Sequence, residues 1–202
     1  MKNFTEDIGI TGHLTISKQF PSGVEEIVFD DHNIIVSGMG VGLSYMFNGS
    51  GSTTVLDYQI DRFQVGVSGP PAGGITSSIA SLSGPLTSIS EYGLGSNLYI
   101  EEASQLSSNN IVTNQFFALI PANKITRISE DSVRYTLVID EDSCNDLTRD
   151  SNDMNINEIG LLMKNPTGNA VTNRSLLVAY RTFSDIRKTN DFSLIFRWTL
   201  NF

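Results

Sequence analysis

Charge is scarce in this chain. Asp, Glu, Lys and Arg together make up 17% of its 202 residues, against about a quarter in an average soluble protein. Positive charge is scarcer still: 13 Lys and Arg face 22 Asp and Glu, for a formal net charge of −9. The densest basic group, Arg181, Arg187 and Lys188, is bracketed by Asp185 and Asp191. A phosphate backbone is repelled by such a surface, so no direct nucleic-acid contact is expected. Cysteine is nearly missing. Cys144 stands alone, which excludes an internal disulfide and leaves core packing as the source of stability. No apolar run approaches the roughly 18 residues of a helical membrane span, and no membrane partner is expected. The start, MKNFTEDIG, lacks the apolar core of a signal peptide, which predicts no standard leader.

In place of charge stand Ser, Thr, Asn and Gly around a normal 40% hydrophobic content. The final ten residues, SLIFRWTLNF, alternate with period two. Leu194, Phe196, Trp198, Leu200 and Phe202 fall on one face, and Ile195, Arg197, Thr199 and Asn201 on the other. A chain end made of buried aromatics must be tied into a sheet, because free ends fray. Further strands are predicted at 10–20 and 24–29, joined by the turn Pro21-Ser22-Gly23, and at 58–67, 111–120, 132–140, 156–163 and 175–183. The stretch 33–47 differs. It is apolar, opens on Asn33 as an N-cap and stops at Asn48-Gly49, which predicts one short helix with Ile35, Met39, Leu43 and Met46 on a shared face. Its glycines Gly38, Gly40 and Gly42 weaken a helix, and allow another backbone to come close. The fold expected is mainly β: a single domain over 1–202, an antiparallel β-sandwich of jelly-roll or Greek-key kind with that one helix. Residues 68–95 carry Pro70, Pro71, Pro85 and six glycines, and read as a long loop. It is either the main interaction surface or the most mobile stretch.

Residues that carry chemistry are thinly spread. GMGVG within 38–42 lacks the Gly-Lys-Ser/Thr ending of a phosphate loop and reads as structural. Six carboxylates in the fourteen residues 140–153 suggest a Ca²⁺ loop, but Cys144 and Asn145 break the EF-hand pattern and no Glu closes it, so a solvated acidic turn is preferred. His13 and His32, the second beside Asp30 and Asp31, would need a third ligand from elsewhere to hold a metal; neither metal nor cofactor is expected. Cys144, with no histidine near it in sequence, is a poor nucleophile. Glu25-Glu26 and Glu101-Glu102 are adjacent pairs that point to opposite faces of a strand, which rules out joint acid/base work. No catalytic residue is predicted.

Three segments in order resemble a known group. ITGHLTI leads to HNIIVSGMGVGLSYMFNG; YQIDRFQVGVSG follows; and INEIGLLMKN precedes LLVAYRTFSDIRKTNDFSLIFRWTLNF. Asn157-Glu158-Ile159-Gly160-Leu161, Ala179-Tyr180-Arg181-Thr182-Phe183, Lys188 and Trp198-Thr199-Leu200-Asn201-Phe202 together resemble structural proteins of tailed bacteriophages, in the tail-fibre, collar and baseplate group. The resemblance spans some 170 residues; 68–95 and 140–153 lie outside it. It implies a non-enzymatic virion component, assembled in the host cytoplasm as a symmetric ring or trimer, whose partners are neighbouring tail, neck or fibre proteins. Alternatives are a receptor- or carbohydrate-binding module, a head decoration protein, or a hydrolase. Pro70, Pro71, Gly73, Gly74, Tyr92 and Tyr99 are the expected contact residues, with the two tyrosines as the sugar-stacking candidates. Ile159, Leu161, Phe183, Phe196, Trp198 and Leu200 are the expected core. Glu158 and Arg181, on adjacent predicted strands, are expected to pair across an exposed sheet face, a contact worth under about 1 kcal/mol.

Overall fold

The computed structural model of the chain describes residues 9–49, 55–66, 99–101, 115–145, 148–149, 152–153, 155–164 and 174–202. Alternating apolar and polar residues build β1 (Thr11–Gln19) and β2 (Glu25–His32), and their turn closes on Gly23, whose φ of 83° suits a residue without Cβ. A two-residue strand, β3 (Ile34–Ile35), leads into the helix α1 (Ser37–Asn48). After a short 3-10 helix (Val55–Tyr58) come β4 (Ile60–Gly66), β5 (Tyr99–Glu101), β6 (Gln115–Leu119), β7 (Ile125–Arg127) and β8 (Ser132–Ile139). The two-residue strands β9 (Thr148–Arg149) and β10 (Asn152–Asp153) pair with each other. The long strands β11 (Ile156–Met163), β12 (Arg174–Ile186) and β13 (Ser193–Asn201) finish the chain.

Two antiparallel sheets pack face to face. One has five strands in the order β2-β1-β13-β8-β7; the other has six, in the order β3-β12-β11-β4-β6 with β5 also on β12. The C-terminal strand lies between β1 and β8, both distant from it in sequence, which is the Greek-key kind of connection. Phe183 of the six-stranded sheet meets Phe196 and Phe29 of the other, at ring separations of 6.2 and 5.9 Å, and so defines the facing sides. All six expected core residues are buried here: Ile159, Leu161, Phe196, Trp198 and Leu200 are 0% exposed and Phe183 is 1% exposed. Each such side chain contributes about 1.5–3 kcal/mol by leaving water, so this terminal strand is a main stabilising element.

Four expectations change. Asn33 is not the helix cap. Its N–H continues the β1–β2 ladder to the Gly12 carbonyl at 3.1 Å, and Ile34–Ile35 then pair with Tyr180 and Ala179. The helix starts only after Val36, whose N–H is taken by the Val178 carbonyl, and no side chain caps it. A sheet edge needing a partner thus outcompetes the local cap. Its end at Gly49, with φ 64°, falls where Asn48-Gly49 predicts. The Glu158–Arg181 pair does not form, because the register sets Arg181 opposite Ile159 and Glu158 opposite Thr182. A one-residue offset in a sheet sends two side chains to opposite faces. Glu158 is fully buried and accepts a hydrogen bond from Tyr180 Oη at 2.7 Å, whereas Arg181 Nη2 donates to Asp31 Oδ2 at 2.5 Å and its guanidinium lies over Phe29. Phe202, expected in the core, is 46% exposed. Tyr58 belongs to the 3-10 helix rather than to a strand.

Candidate functional site

The two ends of β13 are built differently. At its start the sandwich is plugged. Lys188 is 2% exposed, and its ammonium donates to the Thr189 carbonyl (2.7 Å), Asn145 Oδ1 (3.0 Å) and the Glu141 carbonyl (3.3 Å), 5.3 Å from the centre of the Phe192 ring. Burial lowers its pKa, against neighbouring Cys144, Asp140, Glu141 and Asp142, which raise it. The first part of the acidic loop therefore closes on an internal ammonium, in the place where a bound cation would otherwise gather carbonyl and amide oxygens. Cys144 in that turn takes φ 58° and is fully buried; burial pushes its thiol up to about 12, which makes it a poor nucleophile at neutral pH. This corrects the picture of a wholly solvated turn, though Asp140 and Asp142 are exposed. Among the described residues no three His, Cys, Asp or Glu side chains converge as a metal set.

At the other end of β13 the sandwich is open. The cause begins in the helix. A Cβ at Gly38 would run into the Leu177 carbonyl oxygen and one at Gly42 into the Met163 sulfur, so these glycines let α1 lie directly against β12 and β11. Gly40 faces open space. The close approach sets Met39, Leu43 and Met46 above a cleft of about 330 Å³, completed by Tyr58 and Gln59 before β4, Ile60 at its start, Ile125 and Val133 of β7 and β8, Tyr135, Met163 and Phe202. The Gln59 carbonyl holds this corner by accepting the Lys164 N–H at 3.1 Å. The segments that line the cleft also carry exposed apolar side chains: Phe47 at 80%, Leu56 at 64%, and Met46, Ile128 and Phe202.

The cleft's lining is mostly apolar. Three of the five methionines line it, and the thioether's flexibility and polarizability suit a surface that moulds to a partner. Among the described residues its titratable lining side chains are Tyr58 and Tyr135, and burial lifts the phenol of Tyr135 to about 12. Polar pairs among the described residues include Glu158 with Tyr180 in the interior, Arg62 with Asp61, Arg181 with Asp31, and Arg197 with Glu25 on the outer face of the five-stranded sheet. Of the expected contact residues, Pro70, Pro71, Gly73, Gly74 and Tyr92 lie outside the described residues, and so does the 68–95 loop. Tyr99 opens β5, its backbone paired with Leu176.

No sequence reasoning found this cleft. Its parts come from six separated segments, and the only local signal was a cluster of glycines and methionines in a helix with no polar face. Compared with protein-family models, with characterised proteins and with solved structures, the chain matches none.

Proposed function

We propose that this chain is a non-enzymatic structural protein that works by covering its open end with a second copy of itself, and that it serves in the tail, collar or baseplate of a tailed-phage particle. The carrying observation is the apolar cleft together with the projecting Phe47 and Leu56 at the same end of one sandwich. A concave apolar element and protruding apolar side chains on one molecule let identical copies shield one another, which is how symmetric assemblies reuse a single patch. Apolar surface of this kind is unusual on a protein that acts alone. The net charge of −9 supports solubility before assembly. The phage setting rests on the resemblance of the β11, β12 and β13 sequences.

Size-exclusion chromatography with light scattering tests it. A mass that is a multiple of the 22.1 kDa chain, reduced to one chain by Phe47→Asp with an unchanged melting curve, is the expected result. A stable monomer at high concentration that also fails to join phage particles sinks the proposal.

A further inference from the structure

The two histidines, 19 residues apart in sequence, become direct neighbours in the fold. β1 and β2 place His13 opposite His32, with ring centroids 5.5 Å apart and the rings edge to face. The Asn33 N–H bonds to the Gly12 carbonyl, so the adjacent 12–33 positions form a hydrogen-bonded pair of the ladder. Antiparallel ladders alternate, which makes 13–32 a non-hydrogen-bonded pair, the kind whose Cα atoms approach to about 4.5 Å with side chains closest. Asp30 lies two residues before His32 on the same face of β2. Its Oδ1 sits 2.8 Å from His13 Nε2 and accepts Thr15 Oγ1 at 2.7 Å.

From this arrangement we infer that His13 and His32 form a binding site for a late first-row divalent ion such as Cu²⁺, Ni²⁺ or Zn²⁺. The chemistry is that of a carboxylate–histidine–metal relay. With the Nε2 proton of His13 donated to Asp30, the lone pair of His13 is on Nδ1, and the carboxylate fixes the ring. The His32 ring has no hydrogen-bond partner among the described residues and supplies the second nitrogen. Imidazole pairs favour the later metals, Cu²⁺ most strongly. Asp30 acts here as a positioning residue, and water fills the remaining coordination positions. No set of three His, Cys, Asp or Glu side chains converges among the described residues, so the third ligand that a closed site needs is not supplied by them and the proposed site is an open, two-nitrogen one. The surroundings allow a cation. Asp30 lies beside the pair, whereas Asp31 points to the other face of β2 and is paired with Arg181. On the far side the Arg134 guanidinium donates to Thr199, the residue opposite His13 on β13, at 3.5 Å. The side chains of His13 and Asp30 are 39% and 56% exposed, so an ion has open access.

Titrating Cu²⁺ alone into the full chain, by calorimetry and by electron paramagnetic resonance, tests the site. One saturable equivalent with two nitrogen donors in the spectrum is expected. His13→Ala and His32→Ala should each weaken binding at least about tenfold, and Asp30→Asn should weaken it by about tenfold while leaving both nitrogens in place. All three positions are on the surface, and unchanged melting curves establish that the variants fold. Absence of saturable binding, a spectrum with fewer than two nitrogens, or full affinity in either histidine variant overturns the inference. So does displacement of Cu²⁺ by excess Ca²⁺, which would place the ion on carboxylates.

Discussion

The two ends of the terminal strand use the same interior in opposite ways. At its start, Phe20, Phe192, Cys144 and Lys188 seal the sandwich, and every hydrogen of the buried ammonium has an oxygen to meet. At its finish, Phe202, Met46 and Phe47 leave apolar surface uncovered, with scarcely a polar group to satisfy. A buried charge is tolerable only where geometry saturates it, so the sealed end is specific and rigid. An uncovered apolar end is costly only until something covers it. The difference shows which end is closed by polar contacts and which leaves apolar surface exposed.

The comparison breaks most completely if the strand joining the two ends is cut. Removing residues 198–202 takes away Trp198 and Leu200, both fully buried. Loss of Trp198 alone costs about 3–5 kcal/mol, so soluble yield and cooperative melting should vanish; a truncated chain that still folds and assembles refutes the reading. At the sealed end, Lys188→Met strands buried oxygen acceptors and should cost about 1–3 kcal/mol, seen as a fall of roughly 3–10 °C in Tm. An unchanged Tm would mean the latch contributes nothing. At the open end two substitutions in one helix should differ in sign. Gly38→Ala forces the helix off the Leu177 carbonyl and should destabilise by about 1–3 kcal/mol, whereas Gly40→Ala, facing open space, should stabilise by up to about 1 kcal/mol. Equal effects would show that the close approach of α1 is not what places the cleft.

A smaller effect appears at alkaline pH. Burial raises the Cys144 thiol from 9.0 to about 12 and the Tyr135 phenol from 10.0 to about 12. The folded state therefore holds these protons more tightly. Their contribution to stability is complete below the unfolded values and is lost as pH rises through the folded ones. Lys188, whose pKa is lowered, works in the opposite direction below 10.5 and offsets part of the loss. Denaturant melts from pH 8 upward should show stability falling above about pH 9, with a shallower fall in Cys144→Ala. An identical slope in that variant would remove Cys144 from the account. The least effect on stability is expected from Phe47→Asp: within about 0.5 kcal/mol, with the whole consequence in the mass measured by light scattering.

Much of the sheet was legible because period-two patterning is local. SVRYTLVI, INEIGLLM and SLIFRWTLN coincide with β8, β11 and β13 to within a residue. Short strands escaped notice: β3, β5 and β7 have two or three residues each and exist because a longer neighbour offers a ladder. The direction of a polar side chain was equally out of reach. Glu158 looks like an ordinary surface acid in sequence, yet the register points it inward to Tyr180 and gives Arg181 to Asp31 on the other sheet. Neither histidine carried a signal alone. Their meeting depends on the β1–β2 register, which the irregularity between Ile16 and Ser17 interrupts and which residue spacing does not specify.

By itself the amino-acid sequence determined that this protein is an antiparallel β-sandwich with one glycine-rich helix, and that its last strand belongs to the core. Alternation, turn residues and the Asn-Gly stop all act over a few neighbours, so the chain states them openly. Tertiary structure alone decided which end is sealed by Lys188, which end stays open between α1 and Phe202, and which polar side chains meet. Those outcomes depend on registers and on backbone approach between segments from about 20 to more than 150 residues apart, where a shift of one residue changes the partners.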